Sequence, residues 1–95
     1  MVVNIQAIKF NASDKLEAYV QKKVAKLEKL CSENSSVDVF MKLIKPETAE
    51  NKEVEIKIKT SDAEFFASKV CDTFEEATDR TIEALQKQII KQKER

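Results

Sequence analysis

The chain has no histidine, no glycine and no tryptophan, and a single proline. Without His, the commonest general base and metal ligand is missing. Without Gly, no glycine-rich phosphate loop of the Rossmann or Walker type can form. Ser, Thr and Cys side chains have no imidazole to activate them as nucleophiles. Carboxylates are plentiful, but none sits in a recognisable acid/base constellation. The expectation is a protein that is not an enzyme and needs no cofactor, metal or small-molecule substrate.

Other shortages narrow the class further. There are two cysteines, Cys31 and Cys71, with neither CxxC spacing nor a His partner. A zinc site or thioredoxin-like motif is therefore unsupported. One disulfide is formally open, but two small, mostly buried thiols in a reducing compartment fit better. No stretch approaches the roughly 20 apolar residues of a membrane span. The opening Met1-Val2-Val3-Asn4-Ile5 lacks the charged start of a signal peptide. A cytoplasmic location and no membrane partner are expected. Charge of one sign is not in excess either: 17 basic residues meet 17 acidic ones. That excludes a globally basic nucleic-acid binder and leaves a locally basic one open.

What is present is 95 residues, 42% of them apolar, enough for one domain spanning residues 1–95. Val3, Ile5 and Ala7 alternate with Asn4 and Gln6, which predicts a strand over 2–9. Ser13 fits a helix N-cap, with Asp14 and Glu17 in the first turn. Leu16, Val20, Val24, Leu27 and Cys31 recur at steps of three and four and predict a helix over 14–31. Ser32 to Ser36 reads as a polar loop. Val37, Val39, Met41 and Leu43 alternate with Asp38, Phe40, Lys42 and Ile44 until Pro46 stops the strand. Glu47 to Asn51 connects to the cleanest alternation, Val54, Ile56 and Ile58 among Glu53, Glu55, Lys57 and Lys59. A last strand is expected over 64–71, with either Phe65 or Phe66 facing in. Asp72 and Glu75 fit a capping box for a helix from Thr73 to Lys93, whose buried stripe is Phe74, Thr78, Ile82, Leu85 and Ile89.

The order β-α-β-β-β-α predicts an α+β fold of two layers: a four-stranded mixed sheet with both helices on one face. The first helix allows a right-handed crossover between parallel strands one and two.

Two basic stripes are the candidate binding features. Lys15, Lys22, Lys26 and Lys29 share one face of the first helix, with Lys23 one position round. Arg80, Lys87, Lys91 and Arg95 fall at steps of seven, four and four on the second. Side by side, two such helices would merge their cations into a strip matched to a phosphate backbone. Basic faces also simply solubilise helices, and Glu28, Glu83 and Glu94 dilute the strip. Glu75, Glu76 and Asp79 read as a dipole-matched first turn rather than a cation site. Aromatics on the open sheet face invite comparison with base stacking, but hydrophobic cover at a sheet edge is the plainer reading.

The run from Glu17 to Glu28, the three following strands, and the ending from Ala84 to Lys93 together resemble the ribosome hibernation-promoting factor and ribosome-associated inhibitor family, also known as sigma-54 modulation proteins. Ending after the second helix, the chain resembles its short type. The resemblance implies a fold similar to double-stranded RNA-binding domains. It also implies binding to the small ribosomal subunit and its rRNA, in the channel of messenger and transfer RNA. Members block translation there during stationary phase or stress, in some cases alongside a second hibernation factor. Lys23 and Lys26 fit the family's first-helix lysines, and Lys87, Lys91 and Lys93 its closing basic positions. Lys22, Lys29, Arg80 and Arg95 rest on the helix-face argument. The competing expectation is a small protein-interaction or regulatory domain that uses the open sheet face.

Overall fold

In a computed structural model, residues 2–31, 34–44 and 51–93 are described, Lys93 by its backbone only. The expected stop at Pro46, most of the polar connection after it and two residues of the loop after the first helix lie outside them. Strand β1 (Val2–Ile8) leads to helix α1 (Asp14–Val24), which tightens into a 3₁₀ segment, Ala25–Lys29. Strands β2 (Ser36–Leu43), β3 (Lys52–Lys59) and β4 (Glu64–Cys71) follow, and helix α2 (Phe74–Lys93) closes the order. The sheet order is β1-β2-β3-β4, with β1 and β2 parallel and the other pairs antiparallel. This is the expected α+β arrangement.

The alternations set which side chains share a layer. Across the sheet, Ile5, Val39, Ile56 and Ala67 form one helix-facing row, and Val3, Val37, Ile58 and Phe65 another. Val37, Val39, Met41, Val54, Ile56 and Ile58 are wholly buried beneath Val20, Val24, Leu27, Leu85 and Ile89 of the helix layer. Each such side chain contributes about 1.5–3 kcal/mol on leaving water. Cys71 is buried and Cys31 half-buried against this core. The ambiguity at the two phenylalanines resolves in favour of Phe65, which packs on the core, while Phe66 is 55% exposed on the open face. That phase also turns Lys69 toward the helix layer, in the row of Met41 and Val54.

Three local features differ from the sequence expectation. The first helix is not α-helical to Cys31. Its last stretch is 3₁₀, with the Leu30 amide donating to the Leu27 carbonyl at 2.9 Å. Val24, Leu27 and Leu30 lie three apart, the period at which 3₁₀ side chains eclipse, and tighter bonds satisfy carbonyls that no glycine terminator caps. Thr73 caps the second helix: its hydroxyl accepts from the Glu76 amide at 3.1 Å. Ser13 caps α1 as expected, accepting from the Leu16 amide at 3.1 Å. Finally, Lys9 adopts φ 68°. That left-handed turn at the end of β1 swings Phe10 onto Phe74, with ring centroids 4.6 Å apart and planes 10° from parallel.

Buried polar groups are paired locally. Thr78 Oγ1 donates to the Phe74 carbonyl and Thr81 Oγ1 to the Ala77 carbonyl, both at 2.7 Å. At the sheet edge, the Gln88 amide donates to the Phe66 carbonyl of β4 at 2.9 Å. This occupies one acceptor that a foreign strand would otherwise use.

Candidate nucleic-acid interface

A polar clasp joins the two helices. The Tyr19 hydroxyl lies 2.9 Å from both Asp79 carboxylate oxygens. Lys23 Nζ sits 3.5 Å from Asp79 and 5.3 Å from the Tyr19 ring centroid. Burial, and then the hydrogen bond to Asp79, push the Tyr19 hydroxyl above the usual phenol range. The Asp79 charge, helped by Tyr19, holds the Lys23 ammonium above its ordinary value.

The clasp also fixes direction. Tyr19 and Lys23 meet Asp79; Lys23 and Lys26 share a groove with Glu83 and Gln86; Lys29 and Leu30 lie beside Ile89 and Gln92. Residue numbers rise together along both helices, so α1 and α2 run parallel. Their basic halves therefore lie side by side. Over residues 22–31 and 83–92, six lysines (22, 23, 26, 29, 87 and 91) face two glutamates. Over residues 13–21 and 72–80 the balance inverts, with Asp14, Glu17, Asp72, Glu75, Glu76 and Asp79 against Lys15 and Arg80. A neutral chain folds into a domain whose helix layer has a basic end and an acidic end.

The expected strip becomes a basic end. Lys22, Lys26, Lys29, Lys87 and Lys91 are exposed there, and Lys23 is half-buried in the interhelical groove. Arg80 lies in the acidic half, 3.0 Å from Glu76 one turn away, and lines a depression with Lys87. Lys87 reaches Glu83 at 3.6 Å, an exposed pair that screening keeps weak. The side chains of Lys93 and Arg95 lie outside the described residues. Lys69, missed in the sequence, joins Arg80 and Lys87 along a depression between β4 and α2. Its signal was the β4 alternation, which assigns Lys69 to the helix side once Phe65 is known to face in.

Two acids in the first half of α2 are engaged in pairs. Asp79 is held by Tyr19 and Lys23, and Glu76 by Arg80. Among the described residues no cluster of His, Cys, Asp or Glu could hold a metal ion. On the far side of the sheet Lys42 binds Glu55 at 3.0 Å and Glu53 at 3.8 Å. Burial, then the neighbouring Glu55, raises the Glu53 carboxyl. That face is a mixed-charge surface, in contrast to the segregated helix layer.

A family model described as "Sigma 54 modulation protein / S30EA ribosomal protein" matches residues 3–95. The chain belongs to this family. Its fold is similar to that of a ribosomal subunit interface protein from Coxiella burnetii, with a TM-score of 0.85 and 17% identity over 100% of both chains. It is also similar to the N-terminal domain of Thermus thermophilus Protein Y, with a TM-score of 0.80 and 19% identity over 94% of this chain and 96% of that one. No curated protein sequence matches the chain. In this family member, no described helix is long and apolar enough to cross a membrane.

Proposed function

We propose that this family member is a ribosome-associated translation inhibitor, a hibernation factor that grips rRNA of the small subunit with the basic end of its helix layer. Residues 1–95 act as one ribosome-binding domain, in the cytoplasm, with no catalytic step and no cofactor. Bound in the messenger and transfer RNA channel during stationary phase or stress, it keeps idle ribosomes from initiating, with a second hibernation factor as a further partner. The observation that carries the reading is the parallel alignment of α1 and α2, which pools six lysines at one end of a neutral molecule. The family's description as a ribosomal protein supports the partner.

Each phosphate neutralised releases counterions, so affinity should fall with salt at a log–log slope of about −0.7 to −0.9 per contact. Sedimentation with purified small subunits across a salt series is the test. The native chain should pellet at low salt and stay in the supernatant at high salt. Lys26→Glu, Lys87→Glu and Lys91→Glu together should abolish pelleting with unchanged helical circular dichroism, since all three side chains are exposed. Normal pelleting by that variant would refute the assignment.

A second reading rests on the open sheet face, where Phe66 and Val70 are 55% and 41% exposed. A protein-contact role there requires Phe66→Asp to lose ribosome association while the lysine variant keeps it.

A further inference from the structure

At the basic end, the 3₁₀ segment, the β3–β4 turn and the last turns of α2 border a half-open cavity of about 390 Å³. That lies within the roughly 300–1,000 Å³ of small-ligand sites. Its walls are apolar at Leu30, Phe65 and Ile89, and polar at Asp62 and Gln92. Lys29 stands at one rim. Across Phe65 and Gln92, which it shares, a second depression carries Lys91 together with Glu64. Among the described residues neither Lys29 nor Lys91 is in an ion pair.

We propose that this cavity is a nucleotide pocket, taking one unpaired base against Phe65 with its flanking phosphates on Lys29 and Lys91. The inference rests on the nucleic-acid reading of the same end and names what that end recognises. Each feature removes an alternative occupant. A carboxylate in the wall repels any anion placed inside, so phosphate belongs at the rim. Lys29 and Lys91 offset Asp62 and Glu64, so the site carries no net negative charge that would select a Lys or Arg side chain. A base satisfies all of them: apolar faces for an aromatic and aliphatic slot, and an amino edge for a carboxylate. Asp62 Oδ1 accepts from the Thr60 hydroxyl at 3.1 Å. An ionised carboxylate offers about four acceptor positions, so it can take an exocyclic amine as well. Cytosine and adenine present such an amine and uracil does not.

The test uses the full chain and fluorescein-labelled oligomers of equal length: oligo(C), oligo(U) and an abasic ribose-phosphate strand, read by anisotropy. Oligo(C) should bind roughly tenfold tighter than the abasic strand. Asp62→Asn should erase its advantage over oligo(U). Phe65→Leu should weaken oligo(C) and leave the abasic strand unchanged, with an unaltered circular dichroism spectrum; Gln92→Ala, an exposed position, provides a second variant that leaves the core intact. Equal binding of oligo(C) and the abasic strand, with no effect of cytidine monophosphate on the Ala63 and Ile89 methyl NMR signals, would overturn the pocket. Cytidine monophosphate shifting those signals while the oligomers gain nothing would assign the site to free nucleotides rather than a strand. The rRNA reading is judged separately, by whether the Lys26, Lys87 and Lys91 reversals lower abasic-strand binding. Loss there with no base effect spares it, and no binding of any strand sinks it while the monophosphate arm still decides the pocket.

Discussion

At position 9 a lysine adopts the left-handed conformation that turns usually assign to glycine. The Cβ clash of that geometry costs about 1–2 kcal/mol. It is tolerated because the turn delivers Phe10 to the Phe74 ring. Lys9→Gly should therefore raise the urea midpoint, by an equivalent of about 0.5–1 kcal/mol once glycine's larger unfolded entropy is set against the relief. Asp79 is the other residue with a distinct role. It clasps the helices together, yet it places a negative charge in the groove that presents Lys23 and Lys26. Asp79→Asn should tighten RNA binding several-fold at low salt, with the gain shrinking as salt rises. The same change should weaken the clasp. Tyr19 and Lys23 both hold their protons more tightly when folded, so their contribution is intact below the ordinary phenol and lysine values. It is lost as pH climbs through the folded values, because the unfolded chain then binds fewer protons. The chain has one tyrosine and no tryptophan, so phenolate absorbance reads Tyr19 alone. Asp79→Asn should move that titration midpoint down.

Among the elements, the strands were the most legible. Val54, Ile56 and Ile58 alternate with charges, and no other register buries them. Phe65 and Phe66 were not separable, because two adjacent aromatics carry no phase; pairing with Ile58 and Lys57 decides between them. The end of α1 was misread because steps of three fit an α-helix and a 3₁₀ helix alike over so short a span. Thr73 was not singled out as an α2 cap because Asp72 and Thr73 each stand three before a glutamate. Thr73→Ala should cost about 1 kcal/mol by urea denaturation. Leu85→Ala, at a wholly buried α2 position, should cost about 2–5 kcal/mol. The individual lysines of the candidate site were visible as helix-face periodicity. Their merging side by side was expected as well; the segregation to one end was not, because whether two helices run parallel is a property of the sheet they cross.

For the molecule as a whole, zero net charge conceals a separation within the helix layer. The crossover between parallel β1 and β2 runs α1 antiparallel to them, and α2 returns antiparallel to β4, so the two lysine-rich halves arrive together. A rearrangement that keeps the total at zero tests whether separation or total matters. Glu17→Lys combined with Lys26→Glu flattens the polarity at constant charge. Stopped-flow mixing with small subunits should show a slower association rate for that pair, and the difference should vanish at high salt.

Parallel helices thus make the domain a miniature compass needle. Near a dense polyanion it feels a torque before it feels a net pull, and it swings lysines first while still some distance away. Collisions that begin in the wrong attitude are corrected in flight. A molecule of this kind gains orientation without the indiscriminate stickiness that a uniformly basic surface would bring to every nucleic acid in its path.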